Sequence, residues 1–339
     1  RPRRRAGARL GPATAGMVAG RRAGLNEPAA AGQGRRRGLR PGVLVRYAAA
    51  VVAGLLLPGT IAMAFPDLAA RFARAMIFYP ERLSEREADP GFWGLKEGES
   101  VFIDAEDGER LHAWWVPAAV SPDDDPDAGA CRAAIFFHGN AGNIASRARI
   151  AARLSGLGLG TLLVDYRGYG RSGGRPSEEG LYKDGRAAYR HVVEARAVPA
   201  EQVVVIGNSL GAAVAASVAS ENPVGRLVLT GAFRSVPALG RSIYWWIPNR
   251  AFNWSFNHFD AESAVRLVEA PVLVGRGDRD ALIPRDETRA IYEAAPQPKR
   301  WVEVPVADHS NLWFTEELWR ELASFVGESP CSPTPSPRR

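Results

Sequence analysis

The sequence predicts an α/β fold, a mostly parallel twisted sheet with helices on both faces and a small cap insertion. Three observations lead there. Aliphatic runs such as Val203-Val204-Val205-Ile206 show no polar alternation and read as strands buried on both faces. Stretches of helical period separate these runs, as expected where crossover helices link parallel strands. One strand passes through Gly207-Asn208-Ser209-Leu210-Gly211 into an Ala-rich helix. Gly207 and Gly211 lack side chains where the strand and helix backbones would otherwise collide. Such a turn lifts the Ser209 hydroxyl above the sheet and aims the unpaired N–H groups of the helix start at the same point.

The chain has 339 residues and a formal net charge of +6. Twelve arginines against one acid, Glu27, make the first 46 residues +11, which leaves the remainder at −5. That remainder offers no basic stripe for nucleic acid. Residues 1–46 are rich in Arg, Gly, Ala and Pro and are expected to be disordered. The chain opens on Arg, and Met17 is a candidate start. Residues 47–65 form an uncharged run of about 19 residues, about 28 Å as a helix, near the ~30 Å of a bilayer core. The expectation is a single-pass N-terminal anchor at the membrane. The Arg cluster would stay cytoplasmic and the catalytic domain would lie on the other side; Arg71 and Arg74 oppose that orientation.

The globular sequence begins near Met76-Ile77-Phe78-Tyr79-Pro80, and its domain is expected over 74–327, with a disordered tail at 328–339. Val101 to Ala105 and Leu111 to Val116 read as strands joined by Glu106-Asp107-Gly108, where Gly supplies positive φ. Four Asp residues between Ser121 and Gly129 lack calcium-loop spacing and read as a solvated loop. Ala133 to Phe137 is a strand ending in His138-Gly139-Asn140-Ala141-Gly142-Asn143, a turn able to present backbone N–H groups. It lacks the Lys-Ser/Thr ending of a phosphate loop. His138 reads as a brace for that turn. The strand Thr161 to Asp165 leads into the Gly-rich Tyr166 to Gly174, which Pro176 separates from the next helix, so it is not a dinucleotide loop. Ser177 reads as that helix's N-cap, with His191 a structural residue within it. Leu227 to Thr230 and Pro271 to Val274 are further strands. The insertion between them, about 234–269, carries Tyr244, Trp245, Trp246, Phe252, Trp254, Phe256 and Phe259. These aromatics pack on the domain's own core, line an acyl pocket or form a membrane-facing patch. Cys131 and Cys331 are too few for a disulfide framework and are expected to be free.

A serine nucleophile requires a base, and the base requires an acid. Of five histidines only His258 and His309 follow Ser209. His309 comes directly after the last strand and is the candidate base; His258 precedes every carboxylate that ends a later strand. Two carboxylates, Asp278 and Asp280, follow the strand ending near Val274. Asp280 is favoured because it opens the apolar turn Ala281-Leu282-Ile283-Pro284. Asn140 and Leu210 are the candidate oxyanion donors through their N–H groups.

Phe-Tyr-Pro after the apolar segment, His-Gly-Asn-Ala-Gly-Asn, Asp-Tyr-Arg-Gly-Tyr-Gly-Arg-Ser-Gly-Gly, Gly-Asn-Ser-Leu-Gly and Gly-x-x-Asp-x-Leu-Ile-Pro occur in this order. Together they resemble the membrane-anchored α/β-hydrolase domain-containing serine hydrolases, which include protein depalmitoylases and lysophospholipid lipases. The resemblance covers about Arg74 to Val326. It implies an α/β-hydrolase fold, a catalytic set of Ser209, Asp280 and His309, and an oxyanion hole at Asn140 and Leu210. Arg276 departs from the family's usual His. The activity implied is cleavage of carboxylic esters or thioesters through an acyl-enzyme, with no metal or organic cofactor. Substrates would be small-molecule or acyl-chain esters, a lipid or an acylated protein among them. A serine peptidase or amidase, or a non-catalytic membrane-tethered interaction module, are the alternatives.

Overall fold

The computed structural model describes residues 77–119, 131–244, 246, 258–328 and 331. The extension at 1–46, the anchor expected at 47–65, the Asp-rich loop, and residues 245 and 247–257 of the cap therefore lie outside the described residues. The expectation of a transmembrane helix needs correction: among the described residues no helix is long and apolar enough to cross a membrane.

The strands are β1 Tyr79–Pro80, β2 Glu99–Asp104, β3 Arg110–Val116, β4 Ala133–Phe137, β5 Ala141–Gly142, β6 Gly160–Val164, β7 Val203–Asn208, β8 Arg226–Thr230, β9 Val272–Gly277 and β10 Lys299–Val304. The α-helices are α1 Ala148–Gly156, α2 Glu178–Arg190, α3 Leu210–Glu221, α4 Val236–Ile243, α5 Ala261–Val265, α6 Arg285–Ala294 and α7 Glu316–Val326. Eight strands form one sheet in the order β10-β9-β8-β7-β4-β6-β3-β2. From β10 to β6 the pairing is parallel, and β3 and β2 add an antiparallel edge. The β2–β3 hairpin turns at Gly108, φ +82°, as its sequence requires.

Side chains alternate across the sheet with period two. Ile135 and Phe137 of β4 enter one core with Val205, Val214, Leu229 and Val274. Phe136 enters the opposite core with Ile206, Val228, Leu273, Leu318 and Leu322. β4, β6, β7 and β8 are buried on both faces, apart from the half-buried Asn208 at the end of β7, which explains their uninterrupted apolar sequences. Helix α3 lies over β7 and β8 and against α2, where Gly185 leaves room for Val214 and Val218. Ser177 caps α2, its hydroxyl accepting from Gly180 N at 3.2 Å. His191 follows α2 and is half-buried at the start of a short wide turn, His191–Ala195.

One further expectation changes. Cys131 and Cys331 are not free: they form a disulfide across 200 residues of sequence. Glu328, paired with Arg226 and Arg300, draws the C-terminal segment across the starts of β8 and β10, and Gly225 leaves space for the Cys331 sulfur. Of the alternatives open for the insertion's aromatics, Phe259 takes the first and packs on the domain's own core. It is fully buried, edge-on to Phe78 and Tyr182.

Candidate active site

The central residue is Ser209, where β7 turns into α3. Its backbone sits at φ +55°, ψ −119°, a conformation that a non-glycine residue keeps only under constraint. The surroundings supply that constraint. A Cβ on Gly207 would meet the backbone of Gly211 and Ala212, and one on Gly211 would meet the carbonyls of Phe137 and His138. Ser209 N–H donates to Thr230 O at 2.8 Å. Asn208, the preceding residue, accepts from Thr230 Oγ1 at 3.0 Å and from Trp313 Nε1 at 3.3 Å. The elbow is thereby tied to the segment that carries His309.

His309 lies in the loop after β10. Asp308 shapes that loop, its Oδ1 accepting from Ser310 N, Ser310 Oγ and Asn311 N. His309 Nδ1 donates to Asp280 Oδ2 at 2.7 Å. The other oxygen, Asp280 Oδ1, accepts the N–H groups of Leu282 and Ile283 at 3.0 and 2.8 Å. Burial pushes the Asp280 carboxyl upward, but the bonds from His309 and the two amides outweigh it and hold the carboxyl below its ordinary range. Asp278 is exposed and donates its N–H to Val304 O, and of the two carboxylates Asp280 is the one bonded to His309 among the described residues. Gly231, just after β8, lies against the pair: a Cβ there would stand 2.9 Å from His309 Cε1 and 3.1 Å from Nδ1. His258 sits elsewhere, its N–H on the Glu178 carboxylate at the cap's return.

The turn after β4 also approaches Ser209: a Cβ on Gly139 would lie 3.4 Å from Ser209 Cβ. Outside the regular elements, neither Asn140 N–H nor Leu210 N–H has a backbone acceptor among the described residues. The Asn140 side-chain amide donates to Ile77 O at 3.0 Å. His138 braces the turn, its Nδ1 donating to Gly139 O at 2.7 Å. Burial and the nearby Arg147 lower His138 to about 3, which keeps the ring neutral.

Sequence reasoning missed Gly231 and the hydroxyls of Tyr166 and Tyr169. The one available signal was a glycine directly after a strand whose neighbours carry the candidate groups. Arg276, the family departure, is buried and donates to Glu303 at 2.6 Å, and Arg285 binds the same carboxylate. The position is thus filled by a charge paired with Glu303. Among the described residues no group of three or more His, Cys, Asp and Glu side chains is placed to hold a metal ion.

A family model described as serine aminopeptidase, S33 matches residues 129–266. That span contains the turn after β4 and the elbow and ends before Asp280 and His309. An uncharacterized protein of Mycobacterium tuberculosis (strain H37Rv) is 38% identical over 217 residues, covering 64% of this chain and 74% of the relative. The alpha/beta hydrolase domain-containing protein WAV2 of Arabidopsis thaliana is 30% identical over 249 residues, covering 67% and 78%. Among solved structures, the Pyrococcus furiosus esterase Pf2001 matches with TM-score 0.56 at 22% identity, over 74% of this chain and 97% of that one. At that identity the likeness shows the fold alone.

Proposed function

The chain belongs to the α/β-hydrolase family, and from that premise we propose that it is a serine hydrolase of carboxylic esters or thioesters. Ser209 Oγ attacks the acyl carbonyl while His309 Nε2 takes its proton. The oxyanion that forms accepts the N–H groups of Asn140 and Leu210, each such donor contributing about 3 kcal/mol to the transition state. His309 returns the proton to the leaving alcohol or thiol, and an acyl-enzyme remains. His309 then deprotonates the attacking water and passes that proton to Ser209 Oγ as the bond from Oγ to the acyl carbon breaks, so the carboxylic acid departs and the serine is restored. Asp280 holds the ring with Nδ1–H toward itself, which leaves Nε2 as the basic nitrogen, and its lowered carboxyl stabilises the imidazolium formed at each step.

The observation that carries this reading is a His–Asp pair bonded at 2.7 Å and set against Gly231, the residue after Thr230, whose carbonyl accepts the N–H of the constrained Ser209. The exposed Tyr244 and Trp246, together with exposed Leu282 and Val306 on the loops bearing Asp280 and His309, support an apolar acyl group, as in a lipid or an acylated protein. Labelling with a fluorophosphonate is the test: wild type should label and Ser209→Ala should not. A folded wild type that stays unlabelled overturns the proposal. The serine aminopeptidase description of the matching family model favours peptide or amide cleavage as the second reading. Turnover of aminoacyl anilides exceeding that of p-nitrophenyl esters would establish it.

A further inference from the structure

The glycine-rich loop Tyr166 to Gly174 has no role in the chemistry above, yet two of its side chains are among the largest fully buried groups of the protein, Tyr166 and Tyr169. Their hydroxyls converge on the turn after β4. Tyr166 Oη donates to His138 O at 2.9 Å, and Tyr169 Oη donates to Asn140 O at 2.8 Å. Between them, Gly139 O accepts from His138 Nδ1 at 2.7 Å. Asn140 O accepts a second bond from Tyr79 N at 2.9 Å. Three consecutive carbonyls are therefore held, and the last of them doubly.

A peptide is planar, with its C=O and N–H pointing in opposite directions. Whatever fixes a carbonyl fixes the direction of the N–H across the same bond. The His138 bond to Gly139 O thus aims the Asn140 N–H directly. The bonds from Tyr169 and Tyr79 to Asn140 O immobilise the next peptide plane. Asn140 is caught between two held planes, and rotation about its own φ and ψ cannot swing the N–H away. The loop is locked into the same assembly: Gly170 N donates to Glu81 O, and Glu81 N donates to Gly142 O. These bonds continue the short β1–β5 pairing of Tyr79 with Ala141.

We infer that Tyr169 is a positioning residue of the oxyanion hole, its buried hydroxyl holding the Asn140 peptide so that the N–H meets the developing oxyanion. The inference rests on the serine-hydrolase reading. Preorganised donors matter because they need not reorient as charge develops. Loss of the hydroxyl should therefore affect the transition state and leave ground-state binding alone.

The experiment compares wild type with Tyr169→Phe, with Tyr189→Phe as the control. Tyr189 also donates a buried hydroxyl to a carbonyl, Pro223 O at 2.6 Å, where α2 and α3 end away from Ser209. Active sites are titrated with a fluorophosphonate, so that any partly unfolded fraction does not enter the rate per site. Turnover of p-nitrophenyl butyrate and inhibition by butylboronic acid, which becomes tetrahedral on the serine, are then measured. Tyr169→Phe should lower kcat about tenfold, less than the 10²–10³ lost with an oxyanion donor itself. KM should stay within twofold and boronate affinity should fall by the same factor as kcat. Tyr189→Phe should match wild type. Unchanged kcat and boronate affinity in Tyr169→Phe overturns the inference while leaving the nucleophile in place. An equal loss in Tyr189→Phe overturns it too, by making the effect a general one. A wild type that neither labels nor turns over refutes the inference together with the reading beneath it.

Discussion

Replacing Gly231 with Ala tests how closely the His309–Asp280 pair is fitted to the end of β8. The new Cβ would stand 2.9 Å from His309 Cε1, 3.1 Å from Nδ1 and 3.7 Å from Asp280 Oδ2. Carbon contacts normally lie near 3.5–4.0 Å, so the imidazole must retreat by about 0.5–1 Å. A displacement of about 1 Å between reacting groups costs about a hundredfold in rate. Gly231 also sits at φ +53°, where an alanine adds about 1–2 kcal/mol of backbone strain. The expected result is a kcat reduced about 30- to 100-fold per active site, with KM little changed. Thermal unfolding should move down by about 2–8 °C, since 1 kcal/mol corresponds to about 2–4 °C in a domain of this size. Initial rates with p-nitrophenyl butyrate and a melting curve supply both numbers. A folded Gly231→Ala enzyme with kcat within threefold of wild type would refute the claim that this glycine makes room for the histidine.

Asp280→Asn should lower kcat by about 10⁴-fold, because the amide favours the wrong imidazole tautomer, whereas Asp278→Asn should leave kcat within about twofold. Opening the Cys131–Cys331 link by the double substitution to Ala should cost about 2–5 kcal/mol, since the bond closes a 200-residue loop, and calorimetry should show a clear fall in melting temperature. The activity at 25 °C should survive that change, because the link precedes β4 whereas Ser209 follows the far end of β7. Bonds from Arg285 and Arg276 hold the Glu303 carboxyl at about 2 against an ordinary 4.5. Its contribution is therefore complete above pH 4.5 and is lost as the pH falls toward 2. The stability difference between wild type and Glu303→Gln should accordingly shrink across that window, measured by melting at stepped pH.

Much of the fold was legible because its strands are buried on both faces and so leave uninterrupted apolar runs at β4, β6, β7 and β8. The elbow was legible because two glycines and a serine at fixed spacing leave few backbone solutions. Asp280 stood out by the apolar turn it opens, and the structure shows why: the Leu282 and Ile283 amides fold back onto its carboxylate. Other features depend on distance in space, which sequence spacing does not carry. Cys131 and Cys331 lie 200 residues apart and gave no sign of meeting. Phe259 looked like one more cap aromatic, yet it fills a hole between Phe78 and Tyr182. Tyr166 and Tyr169 read as loop residues because their partners, the carbonyls of His138 and Asn140, belong to a different strand's turn.

The central claim is that Ser209 carries the acyl group during turnover. Acid quenching during hydrolysis of p-nitrophenyl butyrate, followed by peptide mass mapping, tests this directly. The account predicts a butyryl adduct on the peptide containing Ser209 in the wild type, and neither adduct nor turnover in Ser209→Ala. Ester turnover that persists in Ser209→Ala, or an adduct located on another residue, would contradict it.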